Sequence, residues 1–235
     1  EGPVGLSTGH RRTLAEITAI VAEHKWKHDQ GRQKYGELAE TYNAMQTCLA
    51  WDTIYDPSKD RVISPVSRMW NVTWGGYVLF CWDTYFAAWL SLLDNKELSY
   101  ANVIEVTREK TERGFVPNYA GDPDFKSRDR SQPPVGSMTA LALYERYGDR
   151  WFLEELFEDL YVWNQWWYDN RMIQENLLAW GSNPFEPVFG GLSEIVGVGD
   201  TLGAALESGL DNSPMYDDIP FNHEKYCMEL ADVGL

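Results

Sequence analysis

Asp149-Arg-Trp-Phe-Leu-Glu-Glu-Leu-Phe-Glu-Asp-Leu-Tyr-Val-Trp-Asn-Gln-Trp-Trp167 is the stretch that decides the fold class. Phe152, Leu156, Leu160, Trp163 and Trp167 recur every three to four residues. That is the period of one buried face of an α-helix, with charged residues on the other faces. Gly148 stands where a preceding helix would stop, and Asp149 where the next would be capped.

The same rhythm extends upstream. Pro133-Pro134 reads as the start of a helix running to about Tyr147. Glu97 to Glu112 reads as a helix closed by Gly114, and Tyr77 to Phe86 as a short extended approach to a helix opening near Asp83 and reaching Leu93. From Arg11 to Trp51, Leu14, Ile17, Val21, Leu38, Tyr42, Met45 and Leu49 keep helical spacing, broken near Gly31 and Gly36. Residues 1–10 read as a linker or frayed start, and 11–235 as one domain.

Downstream of Trp167 the pattern loosens. Ala179 to Ala205 reads as a Gly-rich loop, Leu206 to Pro220 as an acidic loop, and His223 to Asp232 as a last short helix. No strand-loop-strand run is visible, so the expectation is an all-α chain of helix hairpins. Long loops between packed helices are where function is usually carried.

Composition excludes more than it selects. The 235 residues carry 36 acidic and 20 basic side chains, a formal charge of −16. Such a chain repels nucleic acid and anionic membrane. No apolar run reaches the roughly 18 residues a membrane helix needs. Three cysteines, Cys48, Cys81 and Cys227, build no disulfide framework. The Asn71-Val-Thr73 sequon matters only in a secreted eukaryotic protein, and a mature chain has already lost any signal peptide, so localisation stays open. Eleven Trp, 13 Tyr and 9 Phe suit stacking on sugar faces, but large helical cores use the same rings as filler.

Polar groups gather in three places. Trp82-Asp-Thr-Tyr-Phe86 sets a carboxylate among rings; by spacing alone it is better read as a capping Asp beside core aromatics. Gly114-Phe-Val-Pro-Asn118 and Arg128-Asp-Arg-Ser-Gln-Pro-Pro134 offer many donors in a stiff frame, or a solvated loop of Arg–Asp pairs. Glu207-Ser-Gly-Leu-Asp-Asn-Ser-Pro214 holds two carboxyls four residues apart; one could keep its proton in a partly apolar setting, or the segment could be an Asx turn. Asp217-Asp218 lacks a His or Cys at ligand spacing, so no metal and no cofactor is expected. His10, His24, His28 and His223 have no adjacent nucleophile, which argues against a Ser or Cys hydrolase.

In order along the chain, Phe80-Cys-Trp-Asp-Thr-Tyr-Phe86, Gly114-Phe-Val-Pro-Asn118, Asp129-Arg-Ser-Gln-Pro-Pro134 and Glu207-Ser-Gly-Leu-Asp-Asn-Ser-Pro214 resemble glycoside hydrolase family 63 and, beside it, the family 37 trehalases. The resemblance spans about Tyr42 to Leu235 and looks most like the bacterial α-glucosidase and mannosylglycerate hydrolase branch. It implies an (α/α)6 toroid, of which 11–235 is the N-terminal part, and an inverting hydrolase that removes a terminal α-linked sugar, glucose in the first instance, from an oligosaccharide or small α-glycoside. It implies Asp211 as general acid. Trp82, Asp83, Asn118, Arg130 and Gln132 match sugar-binding positions, and Trp180 and Glu207 are further pocket members. Resembling enzymes continue beyond Leu235 and carry their general base there, so the expected partner is the C-terminal half of the toroid.

Three alternatives stand beside this. One is a trehalase, disfavoured because Asn212 replaces the usual aromatic residue. One is a sugar-binding fragment without turnover. One is a terpenoid-cyclase-like toroid, disfavoured because Asn118, Arg130 and Gln132 would be costly to bury without a polar ligand.

Overall fold

Helix α6 (Arg150–Arg171) contributes more side chains to the main core than any other helix. Phe152, Leu156, Leu160, Trp163 and Trp167 are all buried along one face, as the spacing predicts. In this computed structural model, residues 2–70, 76–122, 124–185 and 197–229 are described. Seven α-helices among them dominate an all-α architecture, the expected toroid-type segment. No helix among the described residues is long and apolar enough to cross a membrane.

Two compact units make up the chain, Glu1–Cys48 and Leu49–Leu235. In the first unit, α1 (Leu14–Gln33) opens with a capping box between Thr13 and Glu16. It buries none of its residues; Leu14 and Val21 of the expected core stripe are exposed. A 3-10 turn over Gly36–Leu38 leads into α2 (Ala39–Asp52), so the break falls at Gly36 and not at Gly31.

The second unit is built on α3 (Cys81–Ser91), α4 (Lys96–Arg108), α5 (Gly136–Tyr147) and α6. Their apolar faces meet in one core, which includes Tyr85, Val103, Val106, Leu143, Phe152 and Trp163. Each fully buried aliphatic or Phe side chain there stabilises the fold by about 1.5–3 kcal/mol. Gly136 starts α5 where a Cβ would come within 2.8 Å of Tyr85 and 2.9 Å of Trp163. Gly148 ends α5 in the left-handed conformation, φ 72°.

Several loop expectations are corrected. Four small antiparallel pairs form: β1 (Ile54–Asp56) with β2 (Arg61–Ile63), β3 (Val78–Phe80) with β4 (Tyr119–Gly121), β5 (Met172–Gln174) with β6 (Leu177–Leu178), and β7 (Phe221–Asn222) with β8 (Cys227–Met228). The last replaces the helix expected from His223; Asn222 Oδ1 accepts from the backbone N–H of Glu224 and Lys225 and turns the chain instead. Residues 230–232 of that expected helix lie outside the described residues. Helix α4 stops at Arg108, and Gly114 (φ 90°) serves the turn after it. Asp149 occupies the N-cap of α6, but its carboxylate binds Tyr100 and Lys96.

The largest correction is α7 (Thr201–Ser208), in sequence expected as loop. Asp200 caps it by accepting from Gly203 N–H, and Gly209 (φ 73°) ends it. Gly203 sits inside it because a Cβ there would collide with Gly197 O and with Ser182. Part of the expected loop, 186–196, lies outside the described residues.

Candidate active site

The β3–β4 pair sets the geometry. Phe80 faces Tyr119 across it, and Cys81 N–H donates to Asn118 O at 3.0 Å. The start of α3, with Trp82 and Asp83 in its first turn, therefore lies beside Asn118 and Tyr119. The sequence places the opening and cap of α3 at Asp83. The helix opens two residues earlier, and Phe80 at its N-cap supplies no side-chain acceptor. Gln132 does so from a distant loop: its Oε1 accepts from Trp82 N–H at 3.2 Å.

Arg130 is 1% exposed and fixed on two sides. Its Nε donates to Asn118 Oδ1 at 3.1 Å and its Nη1 to Asp129 Oδ2 at 2.8 Å. The guanidinium lies 5.8 Å from the centre of the Tyr119 ring. Asn118 N–H also donates to Arg130 O, so backbone and side chain register the two loops together.

Helix α7 brings the remaining carboxyl. Gly209 lies flat against Trp82: a Cβ at this position would run into the indole. Only a glycine allows both that approach and the left-handed turn. Two residues on, Asp211 reaches the same cavity. The cavity has a volume of about 340 Å³ and is lined by Trp82, Asp83, Asn118, Arg130, Gln132 and Asp211, with Val66, Trp70, Phe80, Tyr119, Leu206 and Gly209. Its lining combines aromatic and aliphatic side chains with carboxyls, amides and a guanidinium.

Asp83 and Asp211 hold their protons more tightly than ordinary carboxylic acids. For Asp83 the main cause is burial, opposed by its own backbone N–H and reinforced by the charge of Asp211. For Asp211 it is again burial, opposed by its own backbone N–H and by Arg130. Asp211 is nonetheless exposed to solvent where it lines the cavity. Neither forms a salt bridge among the described residues, and no cluster of His, Cys, Asp and Glu there is arranged to hold a metal ion.

Six of the eight expected site residues thus line one cavity. Two do not. Trp180 packs edge-on against Trp167, with centres 5.8 Å apart, and joins the core. Glu207 is fully buried. Its carboxylate accepts from Arg171 Nε at 2.5 Å and Nη2 at 2.9 Å, and from the N–H of Ser131 at 3.0 Å and Gly181 at 2.6 Å. Those four donors close it off from the cavity. Spacing gives no hint of Arg171, 36 residues away in sequence. The lining residues Val66, Trp70, Tyr119 and Leu206 also carry no signal beyond being apolar.

The family model for the mannosylglycerate hydrolase MGH1-like glycoside hydrolase domain matches residues 76–229, which contain helices α3 to α7 and every polar lining residue. Among solved structures, an uncharacterised conserved protein of Thermus thermophilus is similar at 18% identity and a TM-score of 0.52. The match covers 76% of this chain and 40% of that one, and is a likeness of fold. No curated protein matches the chain. With its cavity, its helices and its match over 76–229, the chain belongs to the MGH1-like glycoside hydrolase domain family.

Proposed function

We propose that the cavity cleaves a terminal α-linked sugar, most simply glucose, from an oligosaccharide or small α-glycoside, with inversion and with Asp211 as general acid. The observation that carries this reading is one cavity that brings together an unbridged carboxyl of raised proton affinity, aromatic rings and a fixed set of donors. A sugar ring stacks its C–H face on Trp82 and its neighbours. Its hydroxyls donate to Asp83 and accept from Arg130, Gln132 and the Asn118 amide. Asp211 then gives its proton to the glycosidic oxygen as the C–O bond breaks. A carboxylate on the opposite face, about 6.5–9.5 Å from the acid in inverting enzymes, would activate the incoming water.

The test is Asp211→Asn in the full-length protein. Turnover of an alkyl α-glucoside falls by about 10²–10⁴-fold, while sugar binding followed by tryptophan fluorescence persists. Unchanged turnover removes Asp211 from the mechanism. Binding by the wild-type protein without any turnover favours a sugar-binding role instead.

A further inference from the structure

The hydrogen bonds behind the cavity converge on one group that never enters it. Glu207 sits in the last turn of α7, two residues before the Gly209 turn that delivers Asp211. Its carboxylate receives Ser131 N–H, the peptide between the two sugar-facing side chains Arg130 and Gln132. Ser131 is itself tied down: its Oγ donates to Val116 O at 2.6 Å and accepts from Trp163 Nε1 at 3.0 Å. On its other side Glu207 takes the fork of Arg171, at the end of α6, which also donates to Asn183 Oδ1. Gly181 makes room for this pair, since a Cβ there would lie 2.9 Å from the guanidinium.

We propose that Glu207 is a positioning residue for proton donation: it fixes the arm carrying Asp211 against the Arg130–Gln132 segment that grips the sugar. This rests on the glycosidase reading above. The grip has its own internal bonds, Arg130 to Asn118 and Gln132 to Trp82, and none of them involves Glu207. The two tasks should therefore separate. Loss of the Glu207 charge leaves the sugar held but lets the donor drift from the glycosidic oxygen, and displacement of the order of 1 Å is enough to slow such a step.

Leaving groups provide the readout. An alkyl α-glucoside needs a proton on the departing oxygen; α-glucosyl fluoride breaks its C–F bond and releases fluoride with little help from an acid. Glu207→Gln keeps the side chain's shape and removes its charge. It should lower kcat on the alkyl glucoside about tenfold or more relative to the fluoride, with KM within about threefold on both. Asp211→Asn should show the same selectivity more strongly. If Glu207→Gln does not fold, as judged by circular dichroism and melting, Arg171→Lys keeps the cation, loses the fork and is put through the same comparison. Equal losses on the two substrates, or none, would overturn the proposal while leaving the glycosidase reading intact. A wild-type enzyme that hydrolyses neither substrate sinks that reading and this inference with it.

Discussion

Two groups of acidic residues in the second unit behave in opposite ways. Around Arg61, every charge has a partner: Asp56 accepts from Arg61 Nε at 2.9 Å and from the Tyr77 hydroxyl at 2.6 Å, and Glu109 accepts from Arg61, Lys59 and Lys126. Burial alone would raise the proton affinity of Asp56 and Glu109. Hydrogen bonds from Ser58, Tyr77 and Arg61 outweigh it for Asp56, and the three cations outweigh it for Glu109, so both are held below the usual carboxylate range. Around the cavity, burial wins. Asp83 and Asp211 are left without a salt bridge among the described residues, and their proton affinity rises. A buried carboxyl whose partners are all supplied by the protein is spent on structure. A partly buried one left without a salt bridge, beside an open volume, is available to a ligand.

Breaking the paired cluster should have the largest effect on stability. Arg61→Met leaves the buried Asp56 with hydroxyl partners but no cation and takes one of three cations from Glu109, and removing one partner from such a network costs about 3–5 kcal/mol. Denaturant unfolding checks this. Replacing the whole group by apolar residues would be milder, because no charge is then left uncompensated. A loss under about 1 kcal/mol for Arg61→Met would mean that water reaches the cluster and that the contrast with the cavity is false.

Gly209→Ala comes next and acts on the other side of the comparison. A left-handed non-glycine residue costs about 1–2 kcal/mol before any clash. The added methyl also drives into Trp82. Melting should therefore drop modestly, while turnover falls more than stability does, because both the stacking wall and the approach to Asp211 shift. Kinetics that match wild type would show that Trp82 can move aside without consequence.

Which parts of this are legible in the sequence follows from range. The stripe from Phe152 to Trp167 needs only the helix period, so α6 can be read directly. Helix α7 cannot: the glycines in and around it suggest a loop, and Gly203 is explained only by contact with Gly197 and Ser182. The β3–β4 pair joins segments some 40 residues apart, too short for a pattern of alternation to show. At the site, Asp211, Trp82, Asp83, Asn118, Arg130 and Gln132 stand out only through the order of four motifs, since the first and last taken alone read better as a cap and a turn. Glu207 stands out with them but belongs behind the cavity. Its burial depends on Arg171, and sequence spacing between positions 171 and 207 carries no information about a fork closing on a carboxylate.

The smallest expected effect concerns charge at the cavity and gives the comparison its sign. A carboxyl with raised proton affinity in the fold contributes stability that is present below the ordinary carboxylate pKa of about 4 and lost as pH rises through its folded value. Asp83 is such a group, so at neutral pH its charge burdens the fold. Asp56 and Glu109 are the reverse: their contribution is present above about pH 4 and lost as pH falls further. Asp83→Asn should thus be more stable than wild type at pH 7 by about 0.5–1 kcal/mol, as is common where a functional charge is removed. The gap should close on acidification toward about pH 4, where wild type regains its proton, before both proteins lose the Asp56 and Glu109 contribution below it. Sugar binding should weaken in the same variant, since an amide donates where the carboxylate accepts. A stability gap that stays constant across that pH range would trace the gain to packing and not to the buried charge, and Asp83 would then lose its place on the ligand-ready side of the contrast.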